Sequence, residues 1–463
     1  MDGSPESSCR RGSPCNSFDR AYRLARPGDT VQIAAGTYPE QLVGVDPGKL
    51  RPTGTVVFRP APGATVVVDG DLTMQGSYAV FEGERRGDGS YSFRARRVQS
   101  GIGHSLATAS TNVTFRNLKA NTFSVTGTRS ITFEGGDYGP SVACWPRGTT
   151  GAGPQGGEIT PQMWCPIGSG FEETGNTSGT EPRIGPSGDV KGSWPLNVVL
   201  DGVTVHDQNS LDPFNLHSGG LFLVSGRDLR IENSLFYGNI VYDVFAQDFT
   251  TPDCCGMTYG PFTDVVIANN RFRAPVNAAL QEGGNGWTSQ VKNEFPEIQL
   301  DPRNGRTWEN WRIERNSFEN GILFDGRPTF RQVEVVRNIG GSSECYPGVP
   351  GFRWVENAMT SRCGSFAVPF GYALQDGALR RAGAAVRTVR SIFVSAASGT
   401  DAAAIARMLR RRERPVAYGG WTADSVRAIV RNRLYVGGLM GPPGSHPGLV
   451  FSRVWKRAQQ AAR

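Results

Sequence analysis

The stretch that decides the fold is Asn112-Val113-Thr114-Phe115-Arg116-Asn117, which returns as Ser130-Ile131-Thr132-Phe133-Glu134-Gly135. In both copies apolar residues alternate with polar residues, which is the pattern of a short strand with one buried face. Asn or Gly closes each copy, and both residues tolerate the left-handed backbone of a tight corner. The pattern therefore predicts short strands separated by sharp turns.

The same pattern returns six more times along the chain. Its further copies begin at Asn197, Asp228, Asp264, Asn310, Gln332 and Phe352. The shortest separations between equivalent positions are 18 residues (Val113 to Ile131) and 19 residues (Val333 to Phe352). This is the length of one coil of a three-faced β-solenoid, and longer separations indicate loops inserted at corners. An antiparallel sandwich also repeats short strands, but the recurrent Asn or Gly favours stacked coils.

Composition excludes several other classes of protein. Of the 463 residues, 60 are Gly and 30 are Pro, well above the ~12 % that average proteins contain. Such a composition disfavours a helical bundle, and no apolar run approaches the ~18 residues of a transmembrane helix. The segment 140–196 is rich in Gly, Pro, Ser and Thr, which predicts one or two long loops over one face.

The opening of the chain carries a resemblance to a known superfamily. Its motifs are Ser17-Phe18-Asp19-Arg20-Ala21-Tyr22, Pro27-Gly28-Asp29-Thr30-Val31 and Gly36-Thr37-Tyr38. With the repeats, they resemble the right-handed parallel β-helix superfamily of pectate-lyase-like proteins over residues 9–360. The resemblance implies that a helix with Phe18, Ala21, Tyr22 and Ala25 on its apolar side caps the open end of the solenoid.

The eight cysteines fall into four local pairs: Cys9/Cys15, Cys144/Cys165, Cys254/Cys255 and Cys345/Cys363. An even number at short separations predicts disulfides formed in an oxidising compartment. A zinc site is the alternative, but no His lies close to these cysteines. A disulfide between the adjacent residues Cys254 and Cys255 would be strained.

The N-terminus Met1-Asp2-Gly3-Ser4 lacks the basic and apolar regions of a signal peptide. We expect an extracellular protein whose printed sequence shows no signal peptide.

The tail differs in charge from the rest of the chain. Residues 367–463 hold 16 Lys and Arg against 4 Asp and Glu, a net charge of +12, whereas residues 1–366 have a net charge of −5. Helical spacing predicts helices over 384–397, over about 401–412, after the N-cap Thr422, and from about 451. We expect residues 1–365 to form the β-helix and residues 366–463 a small basic helical domain.

The tail contains three motifs typical of a known family: Phe370-Gly371-Tyr372, Trp421-Thr422-Ala423-Asp424-Ser425-Val426 and His446-Pro447-Gly448-Leu449-Val450. With them, the tail resembles the recombinase domain of large serine recombinases. The resemblance implies a DNA-contacting fold that uses Arg427, Arg431 and Arg433. The nucleophilic serine domain of those enzymes is replaced here by the solenoid, so strand cleavage is not expected. A C-terminal cap or spacer is the alternative role.

Candidate chemistry lies between residues 204 and 325. We predict a stripe of polar groups beside strands at 221–224, 244–246, 279–281 and 322–324. The predicted catalytic residues are His206, Asp212, His217 and Asp243, and the predicted substrate-binding residues are Tyr242, Gln247, Asp248 and Glu282. A His beside an Asp suits acid–base catalysis near neutral pH, and clustered carboxylates also suit Ca²⁺. We assign no metal ligand among these residues. Each of them has an alternative, purely structural role, in which its side chain hydrogen-bonds backbone groups at a corner of the solenoid.

Neither the Trp-x-Asp-His nor the Arg-x-Pro-x-x-Arg element of pectate lyases occurs in the chain. Calcium-dependent pectate cleavage is therefore not predicted. Trp145, Trp164, Trp194 and Trp287 lie in or near predicted loops, where aromatic rings stack on sugars or form loop cores.

Three functions follow from these observations. The first is an exported β-helix that binds or processes a polysaccharide or cell-surface glycan, acting as a lyase or glycoside hydrolase if it is an enzyme. The second is a non-catalytic surface or structural protein. The third is a DNA-binding protein that uses the tail.

Overall fold

A computed structural model describes residues 8–10, 12–50, 54–101, 109–152, 158–165, 182–186, 193–210, 219–239, 242–248, 262–273, 298–302, 307–324, 329–343, 348–361, 368–411 and 420–461. Strands and helices are numbered in chain order. Among these residues, no helix combines the length and apolarity needed to cross a membrane.

The first sheet has eleven strands, all paired in parallel with their neighbours. Its strands are β1 (Thr30–Ile33), β3 (Val56–Pro60), β5 (Ala79–Glu82), β7 (Thr111–Arg116), β9 (Arg129–Glu134), β13 (Leu196–Asp201), β17 (Gly226–Glu232), β20 (Phe262–Ala268), β23 (Thr307–Glu314), β25 (Thr329–Val336) and β27 (Phe352–Val355). The eight sequence repeats are the last eight strands of this sheet, which confirms the repeat. The parallel pairing excludes the antiparallel sandwich.

A second, fifteen-stranded sheet supplies the other two faces. Its long strands β2 (Gly36–Val43), β4 (Val66–Met74), β6 (Phe93–Ser100) and β8 (Lys119–Thr126) cover both faces in the N-terminal coils. Beyond β8 the sheet divides, because the start of β8 pairs with β10 and its end pairs with β12. The second face contains β10 (Asp137–Tyr138), β14 (Thr204–His206), β18 (Leu235–Tyr237) and β21 (Arg271–Phe272). The third face contains β12 (Arg183–Gly185), β16 (Phe222–Leu223), β19 (Val244–Asp248), β22 (Ile298–Pro302), β24 (Gly321–Phe324), β26 (Ile339–Ser343) and β28 (Ala358–Ser361).

The architecture is therefore the predicted parallel β-helix. The strand that we predicted at 279–281 lies outside the described residues, and the third-face strand described between β19 and β24 is Ile298–Pro302, which pairs with both. The segment 140–196 is two insertions, because the short strand β12 returns the chain to the third face between them.

Stacked aromatic rings and a ladder of buried amides fill the inside of the solenoid. Phe58, Phe81 and Phe115 stack with ring centroids 4.9 and 5.6 Å apart. At the corner between the first and second faces, Asn270, Asn316, Asn338 and Asn357 form the ladder, and each side-chain amide donates to the next oxygen at 3.0 Å. These residues are the Asn of the repeat motif, or directly follow its left-handed corner residue, so like residues align coil upon coil.

The longest insertions leave the solenoid at the corner between the second and third faces. They connect β10 to β12, β14 to β16, and β21 to β22. At their base, β11 (Ser141–Ala143) pairs in parallel with β15 (Gln208–Ser210). The disulfide Cys144–Cys165 closes part of the first insertion, and the disulfide Cys9–Cys15 closes a short loop near the N-terminus. These are two of the four predicted pairs. The cysteines at 254, 255, 345 and 363 lie outside the described residues.

The N-terminal helix α1 (Phe18–Leu24) covers the first coil as predicted. Ser17 Oγ caps it by accepting a hydrogen bond from the Arg20 amide at 3.1 Å. Phe18, Ala21 and Tyr22 are buried against the solenoid core, whereas Ala25 follows the helix in an extended conformation.

The described C-terminal residues, 368–411 and 420–461, form a hairpin and four helices. The hairpin is β29 (Tyr372–Gln375) with β30 (Ala378–Arg381), and the helices are α2 (Gly383–Ala397), α3 (Ala402–Arg411), α4 (Ala423–Arg431) and α5 (Ser452–Ala461). Short 3₁₀ turns occur at Pro47–Lys49, Pro161–Met163 and Arg433–Val436. Thr422 caps α4 in a capping box with Ser425, as the sequence indicated. The helices share one core, which includes Val389, Phe393, Leu409 and Val426.

Candidate functional site

The outer surface of the second face carries a row of polar side chains. Asp137 in β10 lies beside Lys119 in β8, and His206 in β14 lies beside Tyr237 in β18. Their strand neighbours Ala120, Tyr138, Val205 and Phe236 are fully buried in the core. Because side chains alternate between the two sides of a strand, the four polar residues share the outer side.

His206 is the centre of this cluster. Its Nδ1 lies 2.7 Å from Asp207 Oδ2, and its Nε2 lies 2.8 Å from Asp137 Oδ1. Lys119 Nζ binds Asp137 and lies 3.4 Å from His206 Nε2. The Tyr237 ring stacks on the imidazole at 4.9 Å with an interplanar angle of 8°. One imidazole is therefore held between two carboxylates and against an aromatic plane.

The neighbouring charges keep His206 protonated to higher pH than usual. Burial alone lowers the pKa of His206, but hydrogen bonds with Asp137 and Asp207 outweigh it, so this pKa is raised above its ordinary value. Burial raises the pKa of Asp137, but hydrogen bonds from His206 and Lys119 outweigh it, and the result is a lowered pKa. The imidazolium form of His206, paired with carboxylates, therefore persists to higher pH than that of an ordinary histidine.

Two glycines allow the backbone to approach this cluster closely. A Cβ at Gly139 would lie 1.9 Å from the His206 carbonyl oxygen, and one at Gly238 would lie 2.4 Å from Asp207 Oδ1. Asp207 itself has a φ of +49°, which turns the chain out of β14 and directs its carboxylate back to the imidazole. Local sequence thus fixes the position of Asp207 relative to His206.

Asp243 lies below the surface of this corner and is fully buried. Its Oδ1 accepts a hydrogen bond of 2.6 Å from the Asn239 amide. That amide also donates to the Val205 carbonyl at 3.3 Å and accepts from the Gln208 amide at 3.1 Å. Asp243 is thus connected, through Asn239, to the backbone on both sides of His206.

The other predicted site residues divide into two groups. Tyr242 is buried, and its ring packs against Phe245 at 4.9 Å. Gln247 and Asp248 belong to β19, but their side chains lie outside the described residues, as do Asp212, His217 and Glu282. In the part of the chain that is described, no three His, Cys, Asp or Glu side chains form a metal-binding group. Calcium binding stays a prediction.

Sequence reasoning missed Lys119, Asp137 and Tyr237. Lys119 and Asp137 are 87 and 69 residues from His206, and a long insertion separates them from it. The signal was present, because Gly135-Gly136-Asp137 follows one repeat as Gly202-Val203-Thr204 follows the next. Aligning these corners places Asp137 beside β14 on the same face.

Two tryptophans of the first insertion lie near the base of this corner. Trp145 and Trp164 pair as backbone neighbours beside the Cys144–Cys165 disulfide. Trp164 Nε1 donates to the Thr149 carbonyl at 2.8 Å, and the Arg147 guanidinium lies 5.9 Å from its ring. Both rings are half-buried, which fits a small loop core with partly open aromatic surfaces.

The predicted DNA-contacting arginines lie on the C-terminal helical domain. Arg427, Arg431 and Arg433 are exposed, and Arg427 pairs with Asp424. Every Arg and Lys described between 368 and 461 is exposed, whereas the acidic residues described there are Asp376, Asp401 and Asp424. The surface of this domain is therefore strongly cationic.

Comparison with known proteins finds a family match for the tail and distant structural similarity for the larger part of the chain. Residues 384–463 match the family model described as Recombinase, which confirms the resemblance stated from the sequence. The comparison with curated proteins finds no significant match. A structure of the Streptococcus pneumoniae surface protein and adhesin PfbA is 11% identical, covers 73% of this chain and 90% of its own, and gives a TM-score of 0.29. The catalytic domain of a GH87 alpha-1,3-glucanase in complex with nigerose is 11% identical, with 74% and 64% coverage and a TM-score of 0.25.

Proposed function

We propose that this chain binds a polysaccharide at the corner between its second and third faces, and that the His206–Asp137 pair transfers a proton to or from the bound chain. The observation that carries the proposal is the cluster of Lys119, Asp137, His206, Asp207 and Tyr237 at the base of the longest insertions. Loops on a rigid scaffold are where binding residues concentrate.

The chemistry of the cluster suits a sugar chain. Half-exposed Tyr237 offers an aromatic plane, while Lys119 and Asp207 offer a hydrogen-bond donor and an acceptor to hydroxyl groups. The imidazole fills the space between its two carboxylates, so these carboxylates are not the open, water-separated pair that an inverting hydrolase uses. We therefore assign proton transfer to His206 with Asp137, rather than to a pair of carboxylates. Asp212 and His217 follow His206 in the same insertion and stay predicted members of this site.

The two disulfides support export. Cys9–Cys15 and Cys144–Cys165 are bonds that persist in oxidising compartments, where polysaccharides are also found. We propose an extracellular location on this basis.

The test uses the full chain with a panel of neutral and acidic soluble polysaccharides. Binding is measured by calorimetry, and cleavage by new reducing ends and unsaturated products. We expect Tyr237→Ala to weaken binding about tenfold through loss of stacking. We expect His206→Gln to bind within a few-fold of wild type but to lose turnover by about 10² or more.

Thr132→Ala, on the outer side of the first sheet, is the matched control and should change neither quantity. Unaltered binding in Tyr237→Ala together with unaltered turnover in His206→Gln would refute the proposed site. Binding without any turnover in wild type would leave the glycan site and remove the proton-transfer role.

A second candidate function is duplex DNA binding by the C-terminal domain. The observation in its favour is the surplus of exposed cations on that domain. Phosphate contacts release counterions, so the affinity should fall steeply and log-linearly with salt. We expect the triple variant Arg427→Gln/Arg431→Gln/Arg433→Gln to reduce the salt slope by about 3. Exposed Arg353→Gln on the solenoid is the control, and an equal slope in the triple variant would exclude these arginines.

A further inference from the structure

A groove of about 810 Å³ crosses the outer surface of the first sheet from β17 to β27. It lies on a different face from the His206 cluster. Five consecutive coils contribute to it, and neighbouring strands are spaced at about 4.8 Å, so it extends roughly 20 Å along the solenoid axis. A groove of this length matches an extended chain better than a compact small molecule.

One side of the groove is a row of polar residues with left-handed backbone. Asp228, Asp264, Asn310 and Gln332 line it and have φ values of +55°, +60°, +57° and +59°. The strand register omits the equivalent residue on both strands without shifting, since the pair Arg227/Thr263 is followed by Leu229/Val265. The regular pairing is therefore interrupted at the same position in each of these coils. The four polar side chains therefore form a line along the axis, one from each coil.

The other side of the groove is a row of charged residues in ion pairs. Arg312 lies 3.2 Å and Arg353 2.6 Å from the two oxygens of Glu334. Arg230 continues this row, while Val266 and Phe352 supply apolar surface to the lining. The lining therefore contains three arginines and three carboxylates, those of Asp228, Asp264 and Glu334.

The equal numbers of arginines and carboxylates in the lining favour a neutral ligand over a charged one. A polyanion would gain little attraction from a groove whose cations are already paired with carboxylates. Amide, carboxylate and guanidinium groups in register offer acceptors and donors at every coil, and sugar hydroxyls both donate and accept. Small apolar surfaces between polar groups suit the C–H faces of sugar rings.

We infer that this groove binds a linear neutral polysaccharide, with its chain parallel to the solenoid axis. The groove is separate from the His206 corner, so a result that refutes one of these two binding sites does not refute the other.

The experiment measures binding of cellohexaose, xylohexaose, mannohexaose, maltohexaose and hexagalacturonate to the full chain by calorimetry. The variant is Asn310→Gly/Gln332→Gly, because Gly accepts the left-handed backbone and so avoids new strain. The matched control is Asn112→Gly/Asn197→Gly, since these residues occupy the same left-handed position of the repeat, with φ values of +54°, outside the groove. Asn197 also donates to the equivalent side chain of the neighbouring coil, that of Ser130, as Asn310 donates to Asp264.

We expect at least one neutral hexaose to bind wild type and the control pair equally, and the groove variant about tenfold more weakly. Thr132→Ala, which lies on the same sheet outside the groove, should bind that hexaose as wild type does. The inference is overturned if no neutral hexaose binds, if the groove variant binds as well as the control, or if hexagalacturonate binds more tightly than every neutral hexaose.

Discussion

At the scale of single residues, His206 shows how charge, rather than exposure, determines a side chain's protonation. The residue is only 8 % exposed, and burial by itself would favour the neutral ring. Asp137 and Asp207 reverse that preference, and Lys119 binds the outer carboxylate. A histidine whose charge is preserved in this way remains a proton donor to higher pH than an ordinary histidine.

The raised pKa of His206 predicts a definite pH dependence of stability. Its contribution to the free energy of unfolding is fully present below the unfolded value of about 6.5, and it is lost as pH rises through the folded pKa. His206→Gln should therefore cost about 1–2 kcal/mol in mild acid, and less as the solution becomes alkaline. Denaturant unfolding at a series of pH values measures this difference.

His446 provides a control of opposite sign. Burial lowers the pKa of His446 to about 4, so its neutral form stabilises the protein above about 6.5, and that stability is lost in acid. His446→Gln should thus cost most at neutral and alkaline pH. The same pH trend in both variants would contradict the account of the His206 cluster.

At the scale of elements, the solenoid corners explain why the sequence predicted so much of the fold. Asn338 illustrates the rule: its amide donates to the Ile313 carbonyl at 2.9 Å, and its oxygen accepts from the Asn316 amide nitrogen at 2.9 Å. A residue that must make the same hydrogen bonds in each coil recurs at a regular spacing, so it can be recognised from a single sequence. The eight repeats, the capping helix and the tail helices were predictable because their signals are local.

The candidate site was predicted only in part, because its members come from different coils. His206 was found from its local Asp neighbour, whereas Asp137 and Lys119 become neighbours only through strand register. The length of the first insertion hid that register. Asp243 was grouped with His206 on a predicted stripe of polar groups along one face, yet its side chain is fully buried in the interior.

The asparagine ladder makes the stability of one corner depend on its neighbours. Asn338→Ala removes a fully buried amide and leaves two backbone groups of the preceding coil, the Ile313 carbonyl and the Asn316 N–H, without these hydrogen bonds. We expect a loss of about 2–4 kcal/mol in the free energy of unfolding, measured by chemical denaturation. Arg331→Ala, an exposed residue in the same coil, should cost less than about 0.5 kcal/mol. Equal effects of the two changes would contradict the role of the ladder.

At the scale of the whole molecule, the recombinase-like tail packs directly against the last coils. Ile339 and Ala358 of the solenoid belong to the core of the helical domain. Arg271 donates to the Pro443 carbonyl at 2.8 Å, and Ser317 Oγ donates to the Gly377 carbonyl at 2.6 Å. The tail therefore covers apolar surface of the last coils. This packing favours a capping role, with its cationic surface directed to solvent.

The shared core predicts that damage in the last coils reaches the tail. Ile339→Ala, at a fully buried position, should cost about 2–5 kcal/mol and accelerate hydrogen exchange in α2 and α4. Ile131→Ala is equally buried but lies in a coil remote from the tail, so it should leave exchange in α2 and α4 unchanged. Unchanged exchange in α2 and α4 for Ile339→Ala would show that the tail folds independently.

The central claim is that a polysaccharide contacts the loop-bearing corner around His206. Hydrogen exchange of the full chain, with and without a saturating concentration of the tightest-binding polysaccharide, tests it most directly. The account predicts slower exchange at 137–143, 204–210 and 235–239, where Asp137, His206 and Tyr237 lie. Binding that slows exchange elsewhere but leaves all three segments unchanged would contradict it.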